Sequence, residues 1–282
     1  MPNRQDKMFS NTAAMYDSNA NEYAEASKRE LREFTLKPSL IKCLGNLSGK
    51  RVLDIGCGTG NSSRLALSCG AREVTAVDIS EKEIATAREI DKGKAIAYFV
   101  GNAIDDNLVD LGKFDLVIAI LSVHYCTDRV TLEKLFSNVQ KMLKPGGEFL
   151  AVVVPFTEYD GYGVKISSPT GREGDPSNVS LSDFQGNKFL NFDDIYWSEK
   201  TYQEILEKIG FSVEWLPCIV SNEGIEKYGK GFWQKFLDNP IYKIFRAKED
   251  ENDCFKIFLK VERAIEKNRE DRLTSRTNAI LL

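Results

Sequence analysis

The chain has 282 residues, of which 42% are hydrophobic and 28% charged, and its 38 basic side chains against 42 acidic ones leave a net charge of −4. That length suits one large α/β domain with additions and a sizeable core, and the missing basic excess argues against non-specific nucleic-acid binding. Six cysteines without a C-x-x-C pair, beside a single histidine, read as free thiols of a reducing compartment, with no metal site expected. No apolar run approaches the roughly 20 residues of a membrane span and the N-terminus is not signal-like, so a cytoplasmic protein without membrane contact is expected.

Residues 1–48 form an expected N-terminal helical lid. Tyr16, Ala20 and Tyr23 share one helical face, which either docks on the core or closes over a ligand. Pro38 opens a further helical stretch. The stretch that organises the chain follows: Arg51-Val52-Leu53-Asp54-Ile55-Gly56-Cys57-Gly58-Thr59-Gly60, an apolar run turning sharply into a helix. Gly56, Gly58 and Gly60 permit positive φ and leave the backbone bare for a ligand. Their spacing departs from the G-x-G-x-x-G of pyrophosphate loops, and Asp54 would repel phosphate while suiting an ammonium group.

A helix over 62–68 is expected to end at Gly70, followed by a strand over 73–79 that carries Asp78 at its carboxyl end. Asp78 lies 24 positions beyond Asp54, where an acid holds the hydroxyls of a nucleoside ribose. A helix over 81–90, a strand over 95–100 running into Gly101-Asn102-Ala103, and a strongly apolar strand over 114–121 come next. The last runs into Ser122-Val123-His124-Tyr125-Cys126, a helix over 130–143, a tight turn at 144–147 and a fifth strand over 148–154. Such alternation predicts a doubly wound parallel sheet with ligands outside the carboxyl ends of its strands.

From 155 to 195 the alternation breaks into a long Gly-, Ser- and Asp-rich segment, read as a functional loop inserted after the fifth strand. A helix over 198–209 capped by Ser198, a strand over 211–216, a helix over 223–237 and a strand over 241–247 complete the domain. Ile225, Tyr228, Phe232 and Phe236 form a stripe on that last helix, read as core-facing in preference to a substrate cage. Residues 248–282 carry an amphipathic helix around Cys254 and a polar tail.

The motifs Val-Leu-Asp-Ile-Gly-Cys-Gly-Thr-Gly (52–60), Val-Asp-Ile-Ser (77–80), Gly-Asn-Ala (101–103), Phe-Asp-Leu-Val-Ile-Ala (114–119) and Leu-Lys-Pro-Gly-Gly (143–147) stand in this order. In this combination the chain resembles the class I S-adenosylmethionine-dependent methyltransferases over residues 50–155. The region 197–246 is similar to toxoflavin-pathway methyltransferases. The resemblance implies a seven-stranded, mostly parallel, Rossmann-like sheet whose last strand is antiparallel, with S-adenosyl-L-methionine as cofactor. It also implies that Gly56, Gly58 and Gly60 carry the methionine part of the cofactor, with Asp54 and the carbonyl of Ala119 near its ammonium group. Asp78 would hold the ribose and Ile79 would pack on adenine. Asn102 and the backbone of Ala103 would meet the adenine edge, with Asp105 as a substitute.

His124 sits where cofactor and acceptor would meet, either as a general base or as a residue that shapes the pocket. Tyr16 and Tyr23 would offer aromatic faces to a sulfonium. The expected division is a lid over 1–48, a methyltransferase domain over 49–247 with its insertion at 155–195, and a C-terminal helix and tail over 248–282. The expected reaction is methyl transfer to an oxygen or nitrogen of a small organic molecule. The alternatives are a non-catalytic cofactor-binding scaffold or sensor and a protein methyltransferase. Neither the acceptor nor the oligomeric state is legible in the residues.

Overall fold

The structure, a computed structural model, describes residues 30–93 and 95–249. Tyr16, Tyr23 and the amphipathic helix expected around Cys254 lie outside the described residues. In chain order the strands are β1 (Arg51–Ile55), β2 (Glu73–Asp78), β3 (Ile96–Val100), β4 (Phe114–Ile120) and β5 (Leu143–Val153), then β6 (Glu158–Gly161), β7 (Val164–Ser167), β8 (Pro176–Ser182) and β9 (Lys188–Ile195), and finally β10 (Phe211–Leu216) and β11 (Lys243–Glu249). The helices are α1 (Lys37–Leu44), α2 (Asn61–Ser68), α3 (Glu81–Ile90), α4 (Arg129–Met142), α5 (Glu199–Lys208), α6 (Asn222–Tyr228) and α7 (Gln234–Asp238).

Seven strands form one sheet in the order β10-β11-β5-β4-β1-β2-β3. The pairs among β1 to β5 are parallel, and β11 runs antiparallel to both β5 and β10. Alternate residues feed opposite faces, as the two-residue period of a strand requires. Val52, Leu116, Ile118, Leu150 and Val152 join one apolar cluster, while Leu53, Ile55, Val117, Ala119, Phe149 and Ala151 join a second with Leu132, Phe136 and Val139 of α4. Both faces of the central strands are therefore buried, which explains their nearly unbroken apolar sequence. The turn expected at 144–147 lies within β5: Phe114 faces Leu143 while Leu116 faces Glu148, so Pro145, Gly146 and Gly147 bulge out between these pairings.

Residues 155–195, expected as an irregular loop, instead carry a second, four-stranded antiparallel sheet in the order β6-β7-β8-β9. Its inward residues alternate with polar ones: Val164 and Ile166 on β7, Val179 and Leu181 on β8, and Leu190 on β9 all enter the first apolar cluster. One face of this small sheet thus packs on the same side of the large sheet as α1 and α2, and the other faces outward.

A π-helical turn (Arg32–Leu36) leads into α1, with Pro38 in the first turn of that helix. Proline has no N–H to return to the carbonyl four residues earlier, and that carbonyl, on Phe34, accepts instead from the N–H of Ser221 at 2.8 Å. Ser221 in turn caps α6 through its side chain. The helix expected over 223–237 is broken into α6 and α7 at Gly229-Lys230-Gly231, where Gly229 adopts φ +82°. Trp233 and Phe236 are fully buried in an aromatic cluster, whereas Phe232 is 40% exposed, so the expected stripe is core-facing in part.

Candidate functional site

The loop after β1 is built by its glycines. Gly56, Gly58 and Gly60 have φ of +68°, +51° and +88°, the left-handed region that side chains resist. A Cβ on Gly56 would collide with Ser122, and one on Gly60 with the hydroxyl of Tyr98. The N–H groups of Gly56 and Cys57 both donate to the carbonyl of Val77. Gly58 donates its N–H to Asp78 Oδ2 at 2.8 Å, and the N–H of Ser80 donates to Asp78 Oδ1 at 2.9 Å. The carboxylate at the end of β2 is therefore oriented by backbone on both oxygens.

Pairing between β1 and β4 stops at Asp54 and Ile118, so Ile55 and Ala119 stand where the two strands part. In an open parallel sheet this divergence is the ligand-binding crevice. Ser122 spans it, donating from Oγ to the carbonyl of Ile55 at 2.8 Å. Leu121, just before it, holds φ +57°, a conformation costly for a branched side chain and of the kind concentrated at functional sites.

A cavity of about 800 Å³ opens here, and Gly56, Gly58, Asp78, Ile79, Asn102, Ala103 and His124 all line it. Gly60 lies outside the lining, at the start of α2, and Asp105 is exposed and also outside. Asn102 Oδ1 accepts from the N–H of Ile104 at 3.3 Å, and Asn138 of α4 donates to the carbonyls of Ala103 and Asp105, fixing this loop from behind. Ala119 is buried behind the lining.

Asp54 is also buried behind the loop, accepting on Oδ2 from Ser62 and Ser63, while its Oδ1 has no hydrogen-bond partner among the described residues. Burial, only partly offset by those two hydroxyls, pushes its carboxyl up to about 6.

The far wall comes from the inserted sheet, through Val164, Ile166, Val179, Leu181 and Phe192, with Leu36 and Leu40 beside it. The same sheet contributes Asp194, whose Oδ1 lies 3.6 Å from His124 Nε2. Both side chains are buried, and His124 Nδ1 has no hydrogen-bond partner among the described residues. Burial lowers the imidazole to about 3 and raises the carboxyl of Asp194 well above the usual range, so it favours the uncharged form of each. Asp194 was invisible while 155–195 read as a loop. Its signal is parity: Leu190, Phe192 and Asp194 face one way along β9, an acid in an apolar row.

Residues 52–147 match the family described as "Methyltransferase domain". Over that stretch, from β1 into β5, the chain carries a methyltransferase domain. Among curated relatives it is similar to a ribosomal protein L11 methyltransferase of Acetivibrio thermocellus, 38% identical over 106 residues, covering 36% of this chain and 31% of that protein. It is also similar to a ubiquinone biosynthesis O-methyltransferase of Aromatoleum aromaticum, 33% identical over 104 residues, covering 36% and 43%. The chain spans less than half the length of the curated relatives it matches. Among solved structures, the fold of the methyltransferase domain is shared with an S-adenosylmethionine-dependent methyltransferase from Mesorhizobium loti at a TM-score of 0.55 and 23% identity, over 75% of this chain and 96% of that one. Among the described residues no helix is long and apolar enough to cross a membrane.

Proposed function

We propose that this chain uses S-adenosylmethionine to methylate an oxygen or nitrogen of a small organic molecule in the cytoplasm. The observation that carries the reading is the junction of Gly58 with Asp78: a bare left-handed loop and an oriented carboxylate, side by side at the strand divergence. The residues fit this cofactor. Asp78 presents to the cavity a carboxylate oriented by the N–H groups of Gly58 and Ser80, the acceptor group that suits ribose hydroxyls. Ile79 offers an apolar surface to the adenine, with Asn102 and Ala103 at its edge. Gly56 and Gly58 leave the backbone free of side chains along the methionine part while Gly60 makes room for Tyr98 behind the loop, with the carbonyl of Ala119 and, from behind, Asp54 as partners of the ammonium group. When bound, the cofactor supplies a methyl group activated by a positively charged sulfur.

The chain's own task is then alignment and exclusion of water. The apolar wall from the inserted sheet suits an acceptor with an apolar body, and its closeness to the cofactor loop favours a small acceptor over a protein side chain. His124 takes the proton of a hydroxyl acceptor. Residues 1–48, with Tyr16 and Tyr23, act as the lid, 155–195 as the acceptor side of the 49–247 domain, and 248–282 as an appended tail.

Calorimetry with S-adenosylmethionine and S-adenosylhomocysteine, followed by incubation with methyl-labelled donor and a cell extract, tests the reading. Label is expected in the low-molecular-mass fraction. Binding without transfer would indicate a scaffold, label confined to protein would indicate a protein methyltransferase, and no binding heat would remove the cofactor itself.

A further inference from the structure

His124 comes from the turn after β4 and Asp194 from β9, two elements far apart in sequence that meet at the cavity with side chains 4% and 7% exposed. Tyr125 packs its ring on His124 at 4.6 Å between centroids. Cys126 and Tyr202 of α5 are the other titratable groups facing the pair, and burial keeps both protonated through the neutral range. Ser177, opposite Asp194 in the β8–β9 ladder, is buried and uncharged. Asp193 points to the exposed side of β9, and Glu173 and Asp128 act only through Tyr202 and Cys126. Among the described residues Asp194 has no lysine or arginine partner.

Two buried groups 3.6 Å apart in such surroundings are stable when together they carry no net charge, either as carboxylic acid beside neutral imidazole or as carboxylate beside imidazolium. A bare carboxylate beside neutral imidazole, the form able to accept a hydroxyl proton, carries one uncompensated negative charge. A positive charge in the same low-dielectric cavity removes that penalty, and a neutral thioether does not.

On the reading of this cavity as a methyl-donor site, we propose that His124 and Asp194 form one proton-holding unit that yields a proton to solvent when the sulfonium donor enters and keeps it when the demethylated product enters. Asp194 is thereby a positioning residue: it sets the charge state of His124 without touching the acceptor. The base-competent form is then populated only while the donor is in place.

Donor and product share ammonium, carboxylate, ribose and adenine, so the difference between their proton counts isolates the sulfur charge. Titration calorimetry of the full chain in neutral buffers of differing ionisation enthalpy is expected to show about one proton released per donor bound and close to none per product. The donor-to-product affinity ratio should rise by about tenfold per pH unit around neutrality. In Asp194→Asn, with folding checked by circular dichroism, both differences should vanish while both ligands still bind. Equal proton counts for the two ligands in the wild-type chain would overturn the proposal alone, as would full release persisting in Asp194→Asn. No binding of either ligand would overturn the donor-site reading and this proposal with it.

Discussion

The N–H of Gly58 points at the carboxylate of Asp78 across 2.8 Å, so the end of β2 holds the loop that ends β1 in shape. Asp78→Ala therefore removes two things together: an acceptor for ligand hydroxyls and the brace on the loop. Hydrogen bonds to a charged group contribute about 1.5–3 kcal/mol each, so donor and product affinity should fall by at least about tenfold. Asp78→Asn keeps one acceptor but sets an amide N–H against a backbone N–H, and its affinity should fall almost as far. Calorimetric dissociation constants check both variants. Wild-type affinity in Asp78→Ala would remove Asp78 from the site.

The glycines of the same loop divide by what surrounds them. Gly56→Ala adds a methyl that collides with Ser122 in a left-handed conformation, and the variant should be recovered poorly folded. At Gly58 the added Cβ would stand 3.5 Å from Glu83 Oε2, an ordinary contact, leaving the left-handed strain of about 1–2 kcal/mol as the main cost. Gly58→Ala should fold and yet bind the donor weakly, because its methyl occupies backbone meant to lie bare. Thermal melts and dissociation constants for the two variants separate these effects.

The β1-to-β5 frame was legible because its determinants are local: apolar β-branched runs, left-handed glycines and capping serines sit next to the elements they define. The expected bounds of α3 and the capping of α5 by Ser198 match the structure for that reason. The inserted sheet was hidden because its strands are short and its inward residues alternate with serine, asparagine and lysine, so that composition resembles a loop while parity does not. Asp194 was hidden with it, since its meeting with His124 depends on tertiary packing that no local pattern encodes. The break between α6 and α7 was overlooked where the aromatic stripe outweighed Gly229 and Gly231.

Asp54 gives the cofactor-free protein a pH signature. Its folded carboxyl titrates near about 6, against about 3.9 in an unfolded chain. Between those values the folded state retains a proton that the unfolded state has lost. The contribution is therefore complete below about pH 4 and is lost as pH rises through about 6. Asp54→Asn still offers an oxygen to Ser62 and Ser63 and should abolish this slope, gaining up to about 3 kcal/mol at neutral pH. Other buried groups titrate in both proteins, so the difference between the two urea-midpoint curves isolates Asp54. Parallel curves from acid to neutral pH would show that its carboxyl is not raised.

Trp233 fastens the inserted sheet to the rest of the domain. Its ring stacks on Tyr162 at 5.4 Å and 9°, meets Phe184 edge-on at 6.1 Å, and reaches Phe34 on the other side at 6.4 Å. Its Nε1 donates to the carbonyl of Gly224 at 2.8 Å. Trp233→Ala opens a cavity where all these rings converge, and truncations of this size cost about 3–5 kcal/mol. The loss should be local before it is global, because the inserted sheet lacks the parallel frame's two buried faces. Amide exchange is therefore expected to quicken over residues 158–195 while β1, β4 and β5 stay protected. On the proposed reading that sheet walls the acceptor side and the cofactor loop belongs to the frame, so KM for the acceptor should rise with the donor dissociation constant nearly unchanged. Trp233→Phe keeps an aromatic ring and loses the Gly224 hydrogen bond, so it should fall between the two. Equal loss of donor and acceptor binding in Trp233→Ala would show that the two halves of the cavity are held by one cooperative unit.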